Sequence, residues 1–252
     1  MAYAPFEGCR VYSERLGDGS KTAIFGHGNL ASCNSWRLMM PFLPLDRKNV
    51  FVDFPGFGKS DNIPPCTVEH CADALIAWQR HWGLEPAVYV GHSMGAVVGL
   101  AAALKGAQFS HMVLIGCGPA DGYPMPEQMR ASFAMLAQNP PLIEAMTRKN
   151  NGPFGLGEDI LKEIIADAIR CIPHGYTEMA DSLAGVRLSG QLSALPMPVT
   201  FLHGDHDSVV PLDWIRPTVA AAHGKLVVME GQVHLPMLVE PEQFAATLEK
   251  EL

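Results

Sequence analysis

Val88-Tyr89-Val90-Gly91-His92-Ser93-Met94-Gly95-Ala96 runs from a short apolar segment into Gly-x-Ser-x-Gly and on, without a break, into the apolar run Gly95–Leu104. The first part suits a buried strand and the last a buried helix. Glycines on both sides of the serine leave room for a sharp strand-to-helix turn. Such a turn strains the serine backbone and projects its hydroxyl beyond the sheet edge. The helix that starts there aims its first N–H groups at any negative charge that develops nearby. Gly-x-Ser-x-Gly is common by chance, but between this strand and this helix it marks Ser93 as a nucleophile rather than a small-residue turn.

Outward from this junction, β-rich runs alternate with helical ones. Thr22–Phe25, Val50–Asp53, Val88–Gly91, Met112–Ile115, Val199–His203 and Lys225–Met229 read as strands, short and bounded by Gly, Pro or Asp. Ser35–Leu43, Thr67–Trp82, Met94–Lys105, Leu212–Ala222 and Pro241–Leu252 read as helices, the second opened by Thr67 and closed by Gly83. This rhythm predicts an α/β fold, a mostly parallel central sheet with helices on both faces. An N-terminal antiparallel hairpin is expected around Arg10–Leu16, followed by the Gly17-Asp18-Gly19 turn.

The alternation stops at Gly118. From Pro119 to Leu195 no strand pattern appears, and Glu127–Gln138, Pro141–Lys149, Glu158–Cys171 and Thr177–Leu188 read as helices. Gly118-Pro119 and Leu195-Pro196-Met197-Pro198 bound the stretch as breakers. The expected organisation is a core of residues 1–118 and 196–252 interrupted by a helical insertion, residues 119–195.

The 252 residues are 48% hydrophobic and 17% charged, enough apolar material for a sizeable core and too much for a disordered chain. Eighteen Lys and Arg face 26 Asp and Glu, a net charge of −8. An acidic chain without a basic cluster argues against nucleic acid or anionic lipid as partners. No apolar run reaches the roughly 20 residues of a membrane span, and the N-terminus lacks the pattern of a secretory signal. A cytoplasmic protein is expected, and the sequence leaves its oligomeric state open. The cysteines are scattered, which suits thiols rather than a disulfide scaffold. Cys66, His70 and Cys71 cluster, but they lack a CxxC pair and a fourth ligand, so no metal is expected there.

A serine hydroxyl needs a base, and the base needs an orienting acid. Both follow in the order Ser, Asp, His. Gly204-Asp205-His206-Asp207-Ser208-Val209-Val210-Pro211 leaves one expected strand, and Gly231-Gln232-Val233-His234 leaves the last one. Both loops therefore lie at the sheet edge that carries Ser93. His234 is the candidate base. Asp205, Asp207 and Asp121 are candidates for the acid.

On these residues the chain resembles the α/β-hydrolase fold family over nearly its whole length. Phe25-Gly26-His27-Gly28-Asn29 is similar to the family's oxyanion loop, and Asp53-Phe54-Pro55-Gly56-Phe57-Gly58-Lys59-Ser60 to its Asp-x-Pro-Gly-x-Gly-x-Ser loop. Gly204-Asp205-x-Asp207-x-x-Val210-Pro211 is similar to its acid loop, and the resemblance puts the acid at Asp207. It implies a helical cap at 119–195 and an oxyanion hole made by the backbone N–H groups of Asn29 and Met94.

The expected activity is a serine hydrolase that needs no cofactor or metal. It would cleave a small-molecule carboxylic ester, or a lactone or thioester, through an acyl-enzyme on Ser93. The alternatives are a ligand-binding or receptor protein on the same fold, and a C–C bond hydrolase, lyase or perhydrolase with the same triad. The serine nucleophile departs from the aspartate of dehalogenases and epoxide hydrolases. Ring-cleavage C–C hydrolases typically carry a tryptophan after the catalytic histidine, where this chain has Leu235. Phe54, Phe57, Met129, Phe133, Met146 and Leu235 are the expected substrate-pocket residues. His27 is expected to buttress the oxyanion turn, and His92 has no assigned chemistry.

Overall fold

The computed structural model describes residues 3–151, 154–171 and 174–252. Eight strands form one sheet: β1 (Tyr3–Phe6), β2 (Cys9–Leu16), β3 (Thr22–Gly26), β4 (Lys48–Val52), β5 (Ala87–His92), β6 (Phe109–Ile115), β7 (Val199–Gly204) and β8 (Lys225–Met229). Their spatial order is β1-β2-β4-β3-β5-β6-β7-β8. β2 pairs antiparallel with both β1 and β4, and all later neighbours are parallel. Ile24, Phe25, Val50, Phe51, Val90, Val113, Leu114 and Phe201 are fully buried. Strands covered on both faces are apolar throughout rather than alternating, which is the pattern that made them legible. The hairpin turns at Glu7 and Gly8, both at positive φ. β1 itself carried no strand signal because Pro5 demotes a run to a sheet edge, which is where it lies.

Ten helices pack on or above this sheet among the described residues: α1 (Val68–Trp82), α2 (Met94–Leu104), α3 (Glu127–Leu136), α4 (Pro140–Asn151), α5 (Glu158–Arg170), α6 (Glu178–Gly185), α7 (Ser189–Leu192), α8 (Leu212–Ala221), α9 (Pro236–Val239) and α10 (Pro241–Glu249). Thr67 caps α1 by accepting from the His70 N–H, and Gly83 ends it in the left-handed conformation. Cys66 and Cys71 are both buried on either side of that cap, at the positions where apolar side chains fix the entry of a helix. Among the described residues no group of three His, Cys, Asp or Glu is placed to hold a metal ion. No helix among them is long and apolar enough to cross a membrane.

Two expected helices are corrected. Ser35–Leu43 is not an α-helix but two 3₁₀ turns, Cys33–Trp36 and Met40–Phe42. Pro41 has no N–H to carry an α-helix through, and the Asp53 carboxylate draws the Cys33 N–H toward it at 2.7 Å. Thr177–Leu188 is the shorter α6, which stops where Val186 turns extended, with α7 beyond it. Between β6 and β7 the described residues contain helices α3 to α7 and no strand.

Candidate active site

β5 enters Ser93 and α2 leaves it. Ser93 stands at φ 51°, ψ −114°, a conformation that L-residues avoid and that persists only where its surroundings impose it. Its N–H donates to the Ile115 carbonyl of β6 at 2.9 Å. A side chain on Gly95 would come within 2.5 Å of the His27 carbonyl oxygen, and one on Gly91 within 2.8 Å of the Ala96 Cα. Only glycine fits at either place, which is the physical content of Gly-x-Ser-x-Gly here. Beneath the turn the buried Tyr89 hydroxyl donates to the Gly95 carbonyl at 2.7 Å.

His234 Nδ1 lies 2.7 Å from Asp207 Oδ2. An ionised carboxylate only accepts, so the proton of this contact sits on Nδ1, and Nε2 is left as an acceptor. The other carboxylate oxygen, Asp207 Oδ1, accepts the N–H groups of Val209 (2.9 Å) and Val210 (2.8 Å). Burial pushes the Asp207 carboxyl up, but His234, the Val210 N–H and His203 outweigh it and hold the group below its ordinary value. His203, itself buried, donates from Nε2 to the Val210 carbonyl at 2.8 Å and so braces the acid loop. The competing carboxylates are elsewhere. Asp205 is exposed. Asp121 accepts from the Ser189 N–H and hydroxyl at 3.1 and 2.5 Å.

His27 is fully buried. Its Nε2 accepts the Phe54 N–H at 3.1 Å, so Nδ1 carries the proton and donates to the Gly28 carbonyl at 2.8 Å. Burial lowers its pKa and keeps it neutral. In the same loop the Asn29 side chain accepts from the Leu30 N–H at 3.0 Å and donates to the Gly175 carbonyl at 3.2 Å. The backbone N–H groups of Asn29 and of Met94, the latter a first-turn donor without an intrahelical acceptor, form no hydrogen bond among the described residues.

A cavity of about 600 Å³ opens over this edge, lined at one end by Gly28, Asn29, His92, Ser93 and His234. Met129, Phe133, Met146 and Leu235 line it, with Met125, Leu136 and Ile143 beside them. Among the described residues, no Asp, Glu, Lys or Arg lines it. Phe54 and Phe57 are corrected. They are almost wholly buried behind the site, with ring centroids 5.0 and 5.3 Å from His27, and do not line the cavity. Their loop turns inward, so they anchor it.

Sequence reasoning misses three residues. His92 is buried and donates from Nε2 to the backbone carbonyl of His234 at 2.8 Å, tying β5 to the histidine loop. Burial lowers its pKa to about 3, so it stays neutral. Asp167, on α5, accepts from the Ser32 hydroxyl at 2.5 Å and from Asn34 Nδ2 at 3.1 Å, fastening α5 to the loop that follows Asn29. Tyr176 lines the cavity. A histidine beside the serine was the only one of these with a visible signal.

Comparison with known proteins agrees with this fold. A model of the Alpha/beta hydrolase family matches residues 23–247. An uncharacterized hydrolase of Bacillus subtilis is 32% identical over 120 residues, 46% of this chain and 43% of that one. A strigolactone esterase of Arabidopsis thaliana is 22% identical over 94% of both chains. Among solved structures, an esterase from Exiguobacterium antarcticum superposes with a TM-score of 0.85 at 21% identity, covering 99% of this chain and 98% of that one.

Proposed function

Because the chain belongs to the alpha/beta hydrolase family, we propose that it is a serine hydrolase that cleaves carboxylic esters, lactones or thioesters through an acyl-enzyme on Ser93. The observation that carries this reading is the convergence of three residues from separate loops on one sheet edge. Ser93 is held at positive φ in the cavity. His234 lines the same cavity and is bonded through Nδ1 to the buried Asp207.

In this mechanism His234 Nε2 takes the Ser93 proton as the hydroxyl oxygen attacks the substrate carbonyl. Asp207 keeps the proton of the neutral imidazole on Nδ1 and stabilises the cation that forms. The N–H groups of Met94 and Asn29 bind the tetrahedral oxyanion, with the α2 dipole behind Met94. The C–O bond to the leaving group breaks, and the alkoxide departs with the proton from His234. Water, giving its proton to the same nitrogen, then attacks the acyl carbonyl and releases the acid and free Ser93. The helical segment 119–195 acts as the cap that walls the acyl pocket. Its methionine-bearing lining, without charged side chains, suits neutral acyl groups of small to medium size.

A fluorophosphonate probe tests this directly. It is expected to label wild-type protein and not Ser93→Ala. Absence of labelling in protein shown to be folded would sink the hydrolase reading.

A further inference from the structure

One polar group in the cavity has no task in that mechanism. Tyr176 is 3% exposed and lines the cavity, yet its hydroxyl makes no hydrogen bond among the described residues. Of the other polar side chains there, His92 donates through Nε2 and leaves only its acceptor nitrogen Nδ1 unpaired, and the rest are bonded or face water. The Tyr123 hydroxyl donates to the Val209 carbonyl at 2.8 Å, and the Ser132 hydroxyl to the Gln128 carbonyl at 2.9 Å. Both ends of the Asn29 amide are bonded. Thr147 is half-buried and Asn150 exposed. The hydroxyl faces the water of the cavity, and a ligand that displaces that water leaves it desolvated and uncompensated unless the ligand itself supplies a partner. In a cavity large enough for a ligand, the missing partner is an atom of the ligand.

The placement of Tyr176 says which part of the ligand this is. The preceding residue, Gly175, accepts the Asn29 side chain at 3.2 Å. Tyr176 therefore enters the cavity where the helical segment meets the loop of the expected oxyanion hole. Its ring centroid is 6.1 Å from that of Phe133, so an apolar wall flanks the hydroxyl. Burial pushes the phenol pKa up, which keeps it a donor at any working pH.

We propose that the Tyr176 hydroxyl donates a hydrogen bond to the substrate, and that the preferred substrates are neutral esters carrying a second acceptor oxygen within a few bonds of the scissile carbonyl. This rests on the hydrolase reading above and narrows it. A plain alkyl ester leaves the hydroxyl bare, whereas an oxo or ether oxygen at the right distance satisfies it. Discrimination arises because the site's own polar group is paired in one complex and stranded in the other.

The test compares wild-type protein with Tyr176→Phe on ethyl pentanoate, on ethyl 2-, 3- and 4-oxopentanoate and on 2-methoxyethyl pentanoate. The ratio of wild-type to variant kcat/KM for each ester cancels its intrinsic reactivity. That ratio should be about five to ten for at least one oxygen-bearing ester, the size of one net hydrogen bond, and within about twofold of unity for ethyl pentanoate. The melting temperature of Tyr176→Phe should be unchanged or raised, since no bond within the protein is lost. A uniform loss on all five esters, no loss on any, or a lower melting temperature would each overturn the proposal, because each is what a structural or idle hydroxyl gives. These outcomes differ from failure of the hydrolase reading, in which Ser93 is not labelled and no ester is turned over. In that case both fall.

Discussion

Helix α2, which begins at Ser93, buries every residue except Leu104, whereas α3, at the cavity wall, buries only Leu136. α2 is wedged against the sheet and is apolar all round, as a helix without a solvent face must be. Gly95 and Gly99 on it, and Gly91 on the strand before it, leave no space for even one added carbon. α3 is half water-facing, and Met129 and Met135 on it are 37% and 56% exposed. The cavity thus has a rigid floor and a loosely held wall. A rigid floor suits groups that must meet within tenths of an ångström. A wall of flexible side chains suits a boundary that adapts to what it touches. If this division is right, floor substitutions should abolish turnover and wall substitutions should only redistribute it.

The largest effects are expected on the floor. Ser93→Ala and His234→Ala should each lower kcat by a factor of about 10⁴ to 10⁶, and the double variant should be little worse, because residues that act as a unit are not additive. Asp207→Asn should lose somewhat less. Asp205→Asn, exposed and away from His234, should stay near wild type. Ester hydrolysis with circular dichroism on each variant measures this. A crippled Asp205→Asn beside an active Asp207→Asn would reverse the acid assignment.

Next comes His92. Replacing it with phenylalanine keeps the bulk and removes the bond to the His234 carbonyl. A misplacement of the base by a fraction of an ångström should lower kcat by about 10- to 100-fold, with KM nearly unchanged. An unchanged kcat would show that the histidine loop is held without it.

What the sequence revealed follows the same division. The buried strands and α2 were legible because residues enclosed on all sides leave little choice of side chain, and because the turn at Ser93 admits only glycine at Gly91 and Gly95. The order of Ser93, Asp207 and His234 was legible because each follows a readable strand. The pocket lining was harder, since lining depends on which way a loop turns. Phe54 and Phe57 look like Met129 and Phe133 in sequence, yet they turn inward onto His27. Asp167 was hidden for a related reason. It sits on an amphipathic helix among Ile164, Ile165 and Ala168, and its partners Ser32 and Asn34 lie more than a hundred residues away.

Asp167 fastens α5 of the helical segment to the loop after Asn29, and the bond should be visible as pH-dependent stability. Burial raises its pKa to about 6 against the pull of Ser32 and Asn34, with Asp53 adding to the rise and Arg170 opposing it. A carboxyl raised on folding stabilises the protein most where it is protonated in both states. Its contribution is full below the ordinary carboxyl pKa of about 4 and is lost as pH rises through about 6. Asp167→Asn, which imitates the protonated form, should lack this loss. Urea midpoints between about pH 4.5 and 7.5 should show wild type falling by about 1–2 kcal/mol relative to the variant, with some discount because the group is not wholly shielded. Parallel curves would mean that Asp167 titrates in the native protein as it does in the unfolded chain.

The smallest effects should lie on the wall, and they bear most directly on the contrast. Met129, Phe133 and Met146 line the cavity, and the two methionines are 37% and 39% exposed. Cutting any of them to alanine enlarges a boundary that is already partly open to solvent, so a sealed hole of the kind that destabilises a core is not created. The vacated volume should favour longer acyl chains, by about 1 kcal/mol for each methylene newly accommodated, a factor of about five in kcat/KM. Fluorophosphonate labelling of Ser93 should keep its wild-type rate. Two controls sharpen this. Met135→Ala, on the same helix but off the cavity, should leave the chain-length profile alone. Phe54→Leu, which hollows out the packing behind His27, should lower the melting temperature without moving the profile. If Met135→Ala shifted the profile as much as Met129→Ala, the preference would be set by the whole helix rather than by the side chains that touch the substrate, and the wall would be no looser than the floor.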